Sequence, residues 1–338
     1  MTSTDPQNRL AALWRRGCDL LGSRYAILGG AMTWLSERKL VSALSNAGGF
    51  GVIACGSMTP DLLDQEIAAT FELTDQPFGV NLITMHPDLG DLIDVCIARG
   101  VSHVVLAGGL PKDTDIGRLK EAAAKVIAFA PALPAARRLV RSGADGIIIE
   151  GAEAGGHIGP VSTGVLAQEI LPNIDEVPVF VAGGIGRGDA MAMYLRMGAS
   201  GCQLGTRFVC ASECVAHPNF KQAFIRANAR DATSTVQLDP QFPVIPVRAL
   251  ANEGTRKFHE FQREIISRFR AGEVEQKAAR LDIEHYWAGA LRRAAIDGDI
   301  EFGSLMAGQS VGMVRAEQPL AEIIEELVEQ AERALETT

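Results

Sequence analysis

Several patterns that define other protein classes are missing from this 338-residue sequence. No run approaches the ~20 apolar residues of a membrane span, and the polar N-terminus lacks the apolar stretch of a signal peptide, so we expect a cytoplasmic protein without a membrane partner. The six cysteines form no CxxC pair and no Cys/His zinc spacing, which predicts buried free thiols and no metal site. The formal net charge of −9 argues against nucleic acid as a partner, because phosphate backbones require a basic surface.

What is present is a regular alternation of chain segments. Between Tyr25 and Leu204, short and almost continuously apolar runs alternate with longer amphipathic segments, as is typical of parallel strands buried on both faces. The predicted strands are Tyr25–Leu28, Gly51–Ile53, Phe78–Asn81, Ser102–Leu106, Lys125–Ala128, Gly146–Glu150, Pro178–Ala182 and Gly201–Leu204. Eight such strand–helix steps predict an α/β protein with a closed (β/α)8 TIM barrel.

An open, doubly wound sheet is the alternative fold. That fold places G-x-G-x-x-G after the first strand when it binds a dinucleotide, whereas the first predicted strand here continues into Leu28-Gly29-Gly30-Ala31-Met32. The barrel is therefore favoured. Several predicted helices end in a glycine that can adopt the left-handed C-cap conformation, namely Gly48, Gly100, Gly143 and Gly198.

The alternation stops after the eighth predicted strand. Residues 215–310 predict several helices, including Asn252–Arg270 and Ile283–Ala295, which we interpret as a helical insertion over the barrel mouth. The amphipathic segment Leu320–Leu335 is the candidate for the final barrel helix. The expected organisation is an N-terminal extension (1–21), a barrel formed by residues 22–214 and 311–338, and the insertion.

Barrel enzymes place their chemistry on the loops that follow the strands. The last two predicted strands end in Gly183-Gly184 and in Gly205-Thr206. Glycine lets the main chain approach a ligand and donate N–H groups, and this pair of loops is a frequent phosphate site in barrels. Tight turns without a ligand are the alternative interpretation.

The loop after the sixth predicted strand, Glu150–Gly159, is rich in glycine and contains one histidine, His157. Imidazole suits proton transfer near neutral pH, so His157 is the candidate catalytic residue, with a structural histidine as the alternative. Asn81 ends the third strand, where its amide can bond a heterocycle or phosphate, or cap the loop. Met32 and Trp34 after the first strand either form a wall for a planar ligand or belong to the core.

Five motifs in a fixed order carry a family resemblance: Asn46–Gly51, Pro77–Asn81, Glu153–His157, Ala182–Ile185 and Gly205–Phe208. In this combination the sequence resembles the nitronate monooxygenase (formerly 2-nitropropane dioxygenase) family, which includes the FMN-dependent enoyl-acyl-carrier-protein reductase II branch. The resemblance extends from about Gly22 to Leu335 and implies an FMN-binding barrel in which His157 matches the active-site histidine. The cofactor-binding residues that it implies, with no metal, are Gly30, Ala31, Met32, Asn81, Gly155, Gly156, Gly183, Gly184, Gln203, Gly205 and Thr206.

The resemblance leaves the reaction open. Oxidation of an alkyl nitronate is the leading expectation, and the alternatives are reduction of an enoyl thioester or a quinone with NAD(P)H as co-substrate. Gly29–Trp34 departs from the Pro-Met-Ala-Gly type of many monooxygenases, and together with Ala216–Asn219 and Gly303–Gln309 it is more similar to the reductase pattern. A flavin-free barrel lyase or isomerase for a phosphorylated substrate is the remote alternative. The expected partner is a small molecule, and a homodimer is left open.

Overall fold

A computed structural model describes residues 6–236, 238–239 and 245–336. In chain order its strands are β1 (Ile27–Gly29), β2 (Gly51–Ala54), β3 (Phe78–Ile83), β4 (His103–Ala107), β5 (Lys125–Phe129), β6 (Gly146–Glu150), β7 (Gly156–His157), β8 (Val179–Ala182), β9 (Gly201–Leu204), β10 (Ala232–Ser234) and β11 (Val247–Leu250). Eight of them form a parallel sheet in the order β1-β9-β8-β6-β5-β4-β3-β2, and a parallel bridge between Leu28 and Phe50 closes it. The predicted (β/α)8 barrel is confirmed.

The helices cover the outside of the barrel and form about half of the insertion. They are α1 (Pro6–Leu21), α2 (Arg38–Asn46), α3 (Pro60–Leu73), α4 (Leu89–Ala98), α5 (Asp113–Glu121), α6 (Leu133–Arg141), α7 (Thr163–Ile170), α8 (Gly188–Arg196), α9 (Pro218–Arg226), α10 (Glu253–Arg270), α11 (Gln276–Ala295) and α12 (Leu320–Glu336). The glycine C-caps are confirmed, with φ of +88°, +65°, +95° and +106° at Gly48, Gly100, Gly143 and Gly198. None of the helices in the described ranges is long and apolar enough to cross a membrane.

Strand register determines which side chains face the barrel interior. A Cβ on Gly29 would lie 2.6 Å from the Leu44 side chain of α2, so Gly29 faces the helices and Leu28 faces inward. Because paired residues of neighbouring parallel strands point to the same side of a sheet, the register carries this assignment around the barrel. At the carboxyl ends of the strands the inward-facing polar residues are Asn81 of β3, Glu150 of β6 and Gln203 of β9.

Helix α1 closes the opposite end of the barrel. His103 Nε2 and Lys125 Nζ lie 2.8 and 3.1 Å from the Leu20 carbonyl oxygen at the end of α1. Leu10 and Trp14 of the same helix are buried. The predicted extension, of which residues 1–5 lie outside the described residues, thus contributes the apolar face of an amphipathic helix to the core.

The segment after β9 was predicted to be helical, and that description is incomplete. It contains β10 and β11, which form an antiparallel sheet with β7, so that Val247 pairs with His157 and Arg248 with Gly156. Such short strands pair with residues far away in sequence and leave no periodic signal. The helices α10 and α11 bury a separate apolar cluster that includes Phe258 and Trp287. Residues 237, 240–244 and 337–338 of the predicted segments lie outside the described residues, and the domain bounds stay a prediction.

Five of the six cysteines are buried and Cys18 is partly buried. Burial raises the pKa of Cys55 and Cys202 to about 12, so these groups are thiols rather than thiolates at neutral pH. The interpretation of the cysteines as buried free thiols is confirmed.

We expect acid to destabilise the closure of the barrel by α1. Burial lowers the pKa of His103, whose ring nitrogens contact Leu20 and Ser102. In the unfolded chain this histidine binds a proton below the ordinary pKa of ~6.5. In the folded protein His103 binds a proton only at a lower pH. The unfolded state therefore binds more protons, and the free energy of unfolding falls as the pH drops below ~6.5.

Urea unfolding of the wild type and His103→Gln checks this expectation. Between pH 7.5 and 5.5 the wild type should lose about 1 kcal/mol more than the variant. An equal loss in both proteins would show that His103 does not couple folding to protons.

Candidate active site

The loops after β8 and β9 offer unused main-chain donors. The N–H groups of Gly183, Gly184, Gly205 and Thr206 donate to no acceptor within the described ranges. Gly183 and Gly184 have φ of +92° and +72°, which L side chains rarely adopt. Successive N–H groups of this kind form an anion-binding concavity.

Close packing explains why two of these positions require glycine. A Cβ on Gly183 would lie 3.0 Å from the Gly151 carbonyl oxygen and 3.1 Å from Thr163 Oγ1. A Cβ on Gly184 would lie 3.0 Å from Glu153 Cβ. A side chain at either position would therefore displace the loop.

The hydroxyl of Thr206 is oriented by the last residues of the insertion. Its Oγ1 accepts a hydrogen bond of 2.9 Å from the Gly308 N–H, which leaves the hydroxyl proton free to be donated. A Cβ on Gly155 would lie 2.6 Å from the Gly308 nitrogen. Gly308 therefore links the loop after β6 to the loop after β9.

The loop after β1 lies against the same region. Gly30 donates to the Leu204 carbonyl oxygen at 2.8 Å, and a Cβ on Gly30 would lie 3.2 Å from Gly205 Cα. Ser36 Oγ donates to the Gly30 carbonyl oxygen and accepts from the Met32 N–H, both at 2.9 Å. These bonds hold the loop rigidly beside β9, with partly buried Ala31 and Met32 between its ends.

Trp34 in this loop has φ of +71°, a conformation that costs a non-glycine residue about 1–3 kcal/mol. The Arg292 guanidinium of α11 lies 5.8 Å from the Trp34 ring centroid. The insertion therefore reaches the loop after β1 as well as the loop after β6.

His157 is held through its main chain. It lies on β7 and pairs with Val247 of β11, and the residue is exposed. Arg248 Nε donates to the Ala152 carbonyl oxygen at 2.9 Å and Arg248 Nη1 donates to the Ala232 carbonyl oxygen at 2.6 Å. These bonds anchor the loop that carries His157 to the insertion.

Sequence reasoning missed Glu153 and Thr163. Glu153 Oε2 accepts bonds of 2.9 Å from both the N–H and the hydroxyl of Thr163, and its carbonyl oxygen accepts from the Gln309 N–H at 2.9 Å. Thr163 Oγ1 also lies 3.0 Å from the Gly183 carbonyl oxygen. The sequence showed a carboxylate in a glycine-rich loop, but it did not show that Glu153 contacts Thr163 and Gln309, which lie further along the chain.

Glu150 was also missed. It is the one charged residue of β6, follows three isoleucines and lies, partly buried, in the inward layer with Asn81 and Gln203. Burial raises the pKa of Glu150 to about 8. An acidic residue that ends an apolar barrel strand is a signal for a functional group.

The structure groups most of the predicted site residues at one end of the barrel. Gly30, Met32 and Gly205 are adjacent, and Gly155 and Thr206 share Gly308. Asn81 and Gln203 instead lie within strands, and Asn81 Nδ2 donates to the Val105 carbonyl oxygen at 3.0 Å. No group of three or more potential metal-ligating side chains occurs in the described part of the chain.

Comparison with known proteins shows which family this chain belongs to. A family model described as nitronate monooxygenase matches residues 16–330. The chain belongs to the nitronate monooxygenase family. The family and the relatives within it indicate an oxidoreductase.

Three proteins that are similar to this chain have different names. A (3aS,4S,5R,7aS)-5-hydroxy-7a-methyl-1-oxo-octahydro-1H-indene-4-carboxyl-CoA dehydrogenase from Mycobacterium tuberculosis is 32% identical over 94% of this chain and 96% of its own. A probable nitronate monooxygenase from Staphylococcus saprophyticus is 30% identical over 92% of this chain and 96% of its own. The structure of FabK from Thermotoga maritima has a TM-score of 0.85 at 37% identity, with coverage of 95% of this chain and 97% of FabK.

Proposed function

We propose that this nitronate monooxygenase family member is an FMN-dependent oxidoreductase that transfers a hydride between a nicotinamide nucleotide and an acyl thioester. The observation that carries the flavin assignment is the set of unused N–H groups at Gly183, Gly184, Gly205 and Thr206. They lie after two adjacent barrel strands, where a phosphate is commonly bound. FMN, when bound, supplies the redox chemistry, and the protein supplies position and electrostatics.

The residues present fit this cofactor. Glycine at 183 and 184 keeps the cradle free of side chains, and Thr206 adds a hydroxyl donor for the phosphate. The loop of Gly30, Ala31 and Met32 and the amides of Asn81 and Gln203 are assigned to the flavin ring. His157 is assigned to proton transfer at the substrate, since imidazole can both give and take a proton near neutral pH.

Two features favour an acyl thioester as the substrate. The loop Gly29–Trp34 is more similar to the reductase pattern than to that of many monooxygenases. Among the relatives, one is a carboxyl-CoA dehydrogenase, and FabK is an enoyl-acyl-carrier-protein reductase. In the reductive direction, a hydride and a proton add across a carbon–carbon double bond beside the thioester carbonyl while NAD(P)H becomes NAD(P)⁺.

Oxidation of an alkyl nitronate with oxygen is the second candidate. It is favoured by the 30%-identical probable nitronate monooxygenase. The Gly-Gly-His sequence of the β6 loop is consistent with either reaction. The two candidates differ in the compound that reduces the flavin, and this difference can be measured.

We expect NADH or NADPH alone to bleach the visible flavin absorption when it is mixed anaerobically with the yellow purified protein. Subsequent addition of an enoyl-CoA should restore the absorption, because the thioester accepts the hydride. An alkyl nitronate should leave the flavin oxidised. The three reductants are tested separately, each against free FMN as the control.

Bleaching by the nitronate but by neither nicotinamide nucleotide would replace the proposal with nitronate oxidation. Bleaching by NAD(P)H that a quinone reverses and an enoyl-CoA does not would assign a quinone reductase. A colourless protein that cannot be reconstituted with FMN would overturn the flavin assignment and favour a barrel lyase or isomerase.

A further inference from the structure

Buried polar side-chain atoms without a hydrogen-bond partner are concentrated in the insertion. Within the described residues, every such atom lies between residues 215 and 310, and none lies in the barrel. Apart from Asp239, whose carboxylate forms an ion pair with Arg270, the atoms are His259 Nε2, Gln262 Oε1 and Nε2, Trp287 Nε1 and Ser304 Oγ. An unpaired buried polar group is costly, so their concentration in one part of the chain calls for a physical reason.

Gln262 has the most to gain from a ligand. Its side chain is 0% exposed, and both the donor and the acceptor of its amide are unpaired. On α10 it follows Phe258 by one turn and precedes Ile266 by one turn, so the three side chains share a helix face. Phe258 and Ile266 belong to the apolar cluster that α10 and α11 bury. The Gln262 amide therefore points into that cluster and away from solvent.

Trp287 of α11 brings a second unpaired donor to the same cluster. It is 3% exposed, and its ring centroid lies 4.1 Å from that of Phe258. The indole N–H can only donate, whereas the amide of Gln262 can donate and accept. The two residues thus present uncharged hydrogen-bonding groups inside apolar and aromatic surroundings, which is the usual composition of a small-molecule site.

The cluster extends to the strand that carries His157. Val247 belongs to the cluster and pairs with His157. Met306 packs against both this cluster and the barrel core, and its Sδ would lie 3.6 Å from a Cβ on Gly156. Methionine is unbranched and adaptable, so this side chain can move aside for a ligand. A substrate that reacts beside His157 therefore borders the cluster.

We propose that this cluster binds the acyl group of the substrate, and that Gln262, together with Trp287, selects acyl groups that carry a keto or hydroxyl oxygen away from the thioester. This inference rests on the proposed function. The acyl end is assigned to the cluster because Gln262 has no contact with solvent, whereas the carrier end of a thioester must lead out of the protein. Uncharged donors suit a neutral oxygen, since a carboxylate or phosphate would bring an unpaired charge into apolar surroundings.

Turnover of a matched series of enoyl-CoA substrates tests this inference. The series contains one unbranched enoyl-CoA and its analogues with a single keto group at each successive carbon beyond the double bond. For at least one keto analogue, the wild-type kcat/KM should exceed that of the hydrocarbon compound about 10–100-fold, because the plain chain leaves the buried donors unpaired. In Gln262→Met, which keeps a similar size without the amide, the two values should lie within about threefold of each other.

Two further variants separate hydrogen bonding from packing. Ile265→Met changes an apolar residue of the same cluster without removing a polar group, so it should keep the wild-type preference. Trp287→Phe retains an aromatic ring without the N–H and should lower the preference. Each comparison is a ratio of two substrates on one protein, so that a general loss of activity cancels.

The possible results separate this inference from the function on which it rests. A wild type that prefers none of the keto analogues overturns the inference even if Gln262→Met does not fold, and this is the result expected if a trapped water alone satisfies Gln262. A preference that survives in Gln262→Met, or that is lost equally in Ile265→Met, also overturns it. If the wild type accepts no enoyl thioester at all, the proposed function fails and the inference fails with it.

Discussion

His157→Ala is expected to lower kcat about 10²–10⁴-fold, the usual contribution of a general acid–base group, while FMN stays bound. The fold should tolerate this change. His157 is held by main-chain pairing with Val247 of β11 and is exposed, so alanine removes the imidazole without opening a core cavity. Steady-state kinetics with NAD(P)H and an enoyl-CoA measure kcat, and the visible flavin spectrum of the same sample measures cofactor content.

His285→Ala is the matched control, because His285 is an exposed histidine of α11 in the insertion. It should keep full turnover. Reduction of the flavin by NAD(P)H should stay fast in His157→Ala, since that half-reaction requires no proton at the thioester substrate. Full turnover in His157→Ala would remove this residue from the mechanism, and loss of flavin would make it a cofactor-binding residue instead.

Gly183→Ala is expected to weaken FMN binding by about 100-fold. The residue has φ of +92°, and a Cβ would lie 3.0 Å from the Gly151 carbonyl oxygen, so alanine strains the loop and shifts its N–H groups. Two charge-assisted hydrogen bonds to the phosphate, worth ~1.5–3 kcal/mol each, depend on that loop. Quenching of flavin fluorescence on titration with apoprotein gives the Kd.

Riboflavin and a second glycine variant provide the controls for Gly183. Riboflavin lacks the phosphate, so its Kd should change far less than that of FMN. Gly198→Ala introduces similar backbone strain, with φ of +106° and open space around the new Cβ, at the far end of α8, and should leave the Kd for FMN unchanged. Equal losses for FMN and riboflavin in Gly183→Ala would show that this loop does not bind the phosphate.

The barrel could be predicted because its signal is local. A strand such as Gly146–Glu150 is buried on both faces and is therefore continuously apolar, and a glycine such as Gly143 marks the end of a helix through its own backbone preference. Such signals need no knowledge of distant contacts. Boundaries were less certain, and Tyr25–Leu28 became Ile27–Gly29 because the last residues of a strand depend on the register of its neighbour.

The parts that sequence reasoning missed all depend on distant partners. The strand β7 consists of two residues and exists because β11, about 90 positions later, pairs with it. Glu153 acts through Thr163 and Gln309, and no spacing rule connects these residues. Glu150 was visible as an acidic residue in an apolar strand, but its direction toward the interior requires the register of the closed sheet.

The structure places the predicted glycine loops after β8 and β9, whereas their assignment to a site stays a prediction. Glycine at 183, 184 and 205 indicates a close approach of the main chain, and the structure shows N–H groups there without acceptors. The chemical identity of the ligand does not follow from such a cradle, because any phosphate monoester presents the same oxygen atoms to it.

The small sheet of β7, β10 and β11 joins two parts of the chain that have separate apolar cores. Strand β7 lies in the loop after β6 and carries the imidazole of His157, whereas β10 and β11 belong to the insertion. Val247, which pairs with His157, belongs to the apolar cluster that α10 and α11 bury, so changes in these two helices are expected to reach the main chain that holds the imidazole. The helices of the insertion therefore support, from behind, the strand that holds His157 in place.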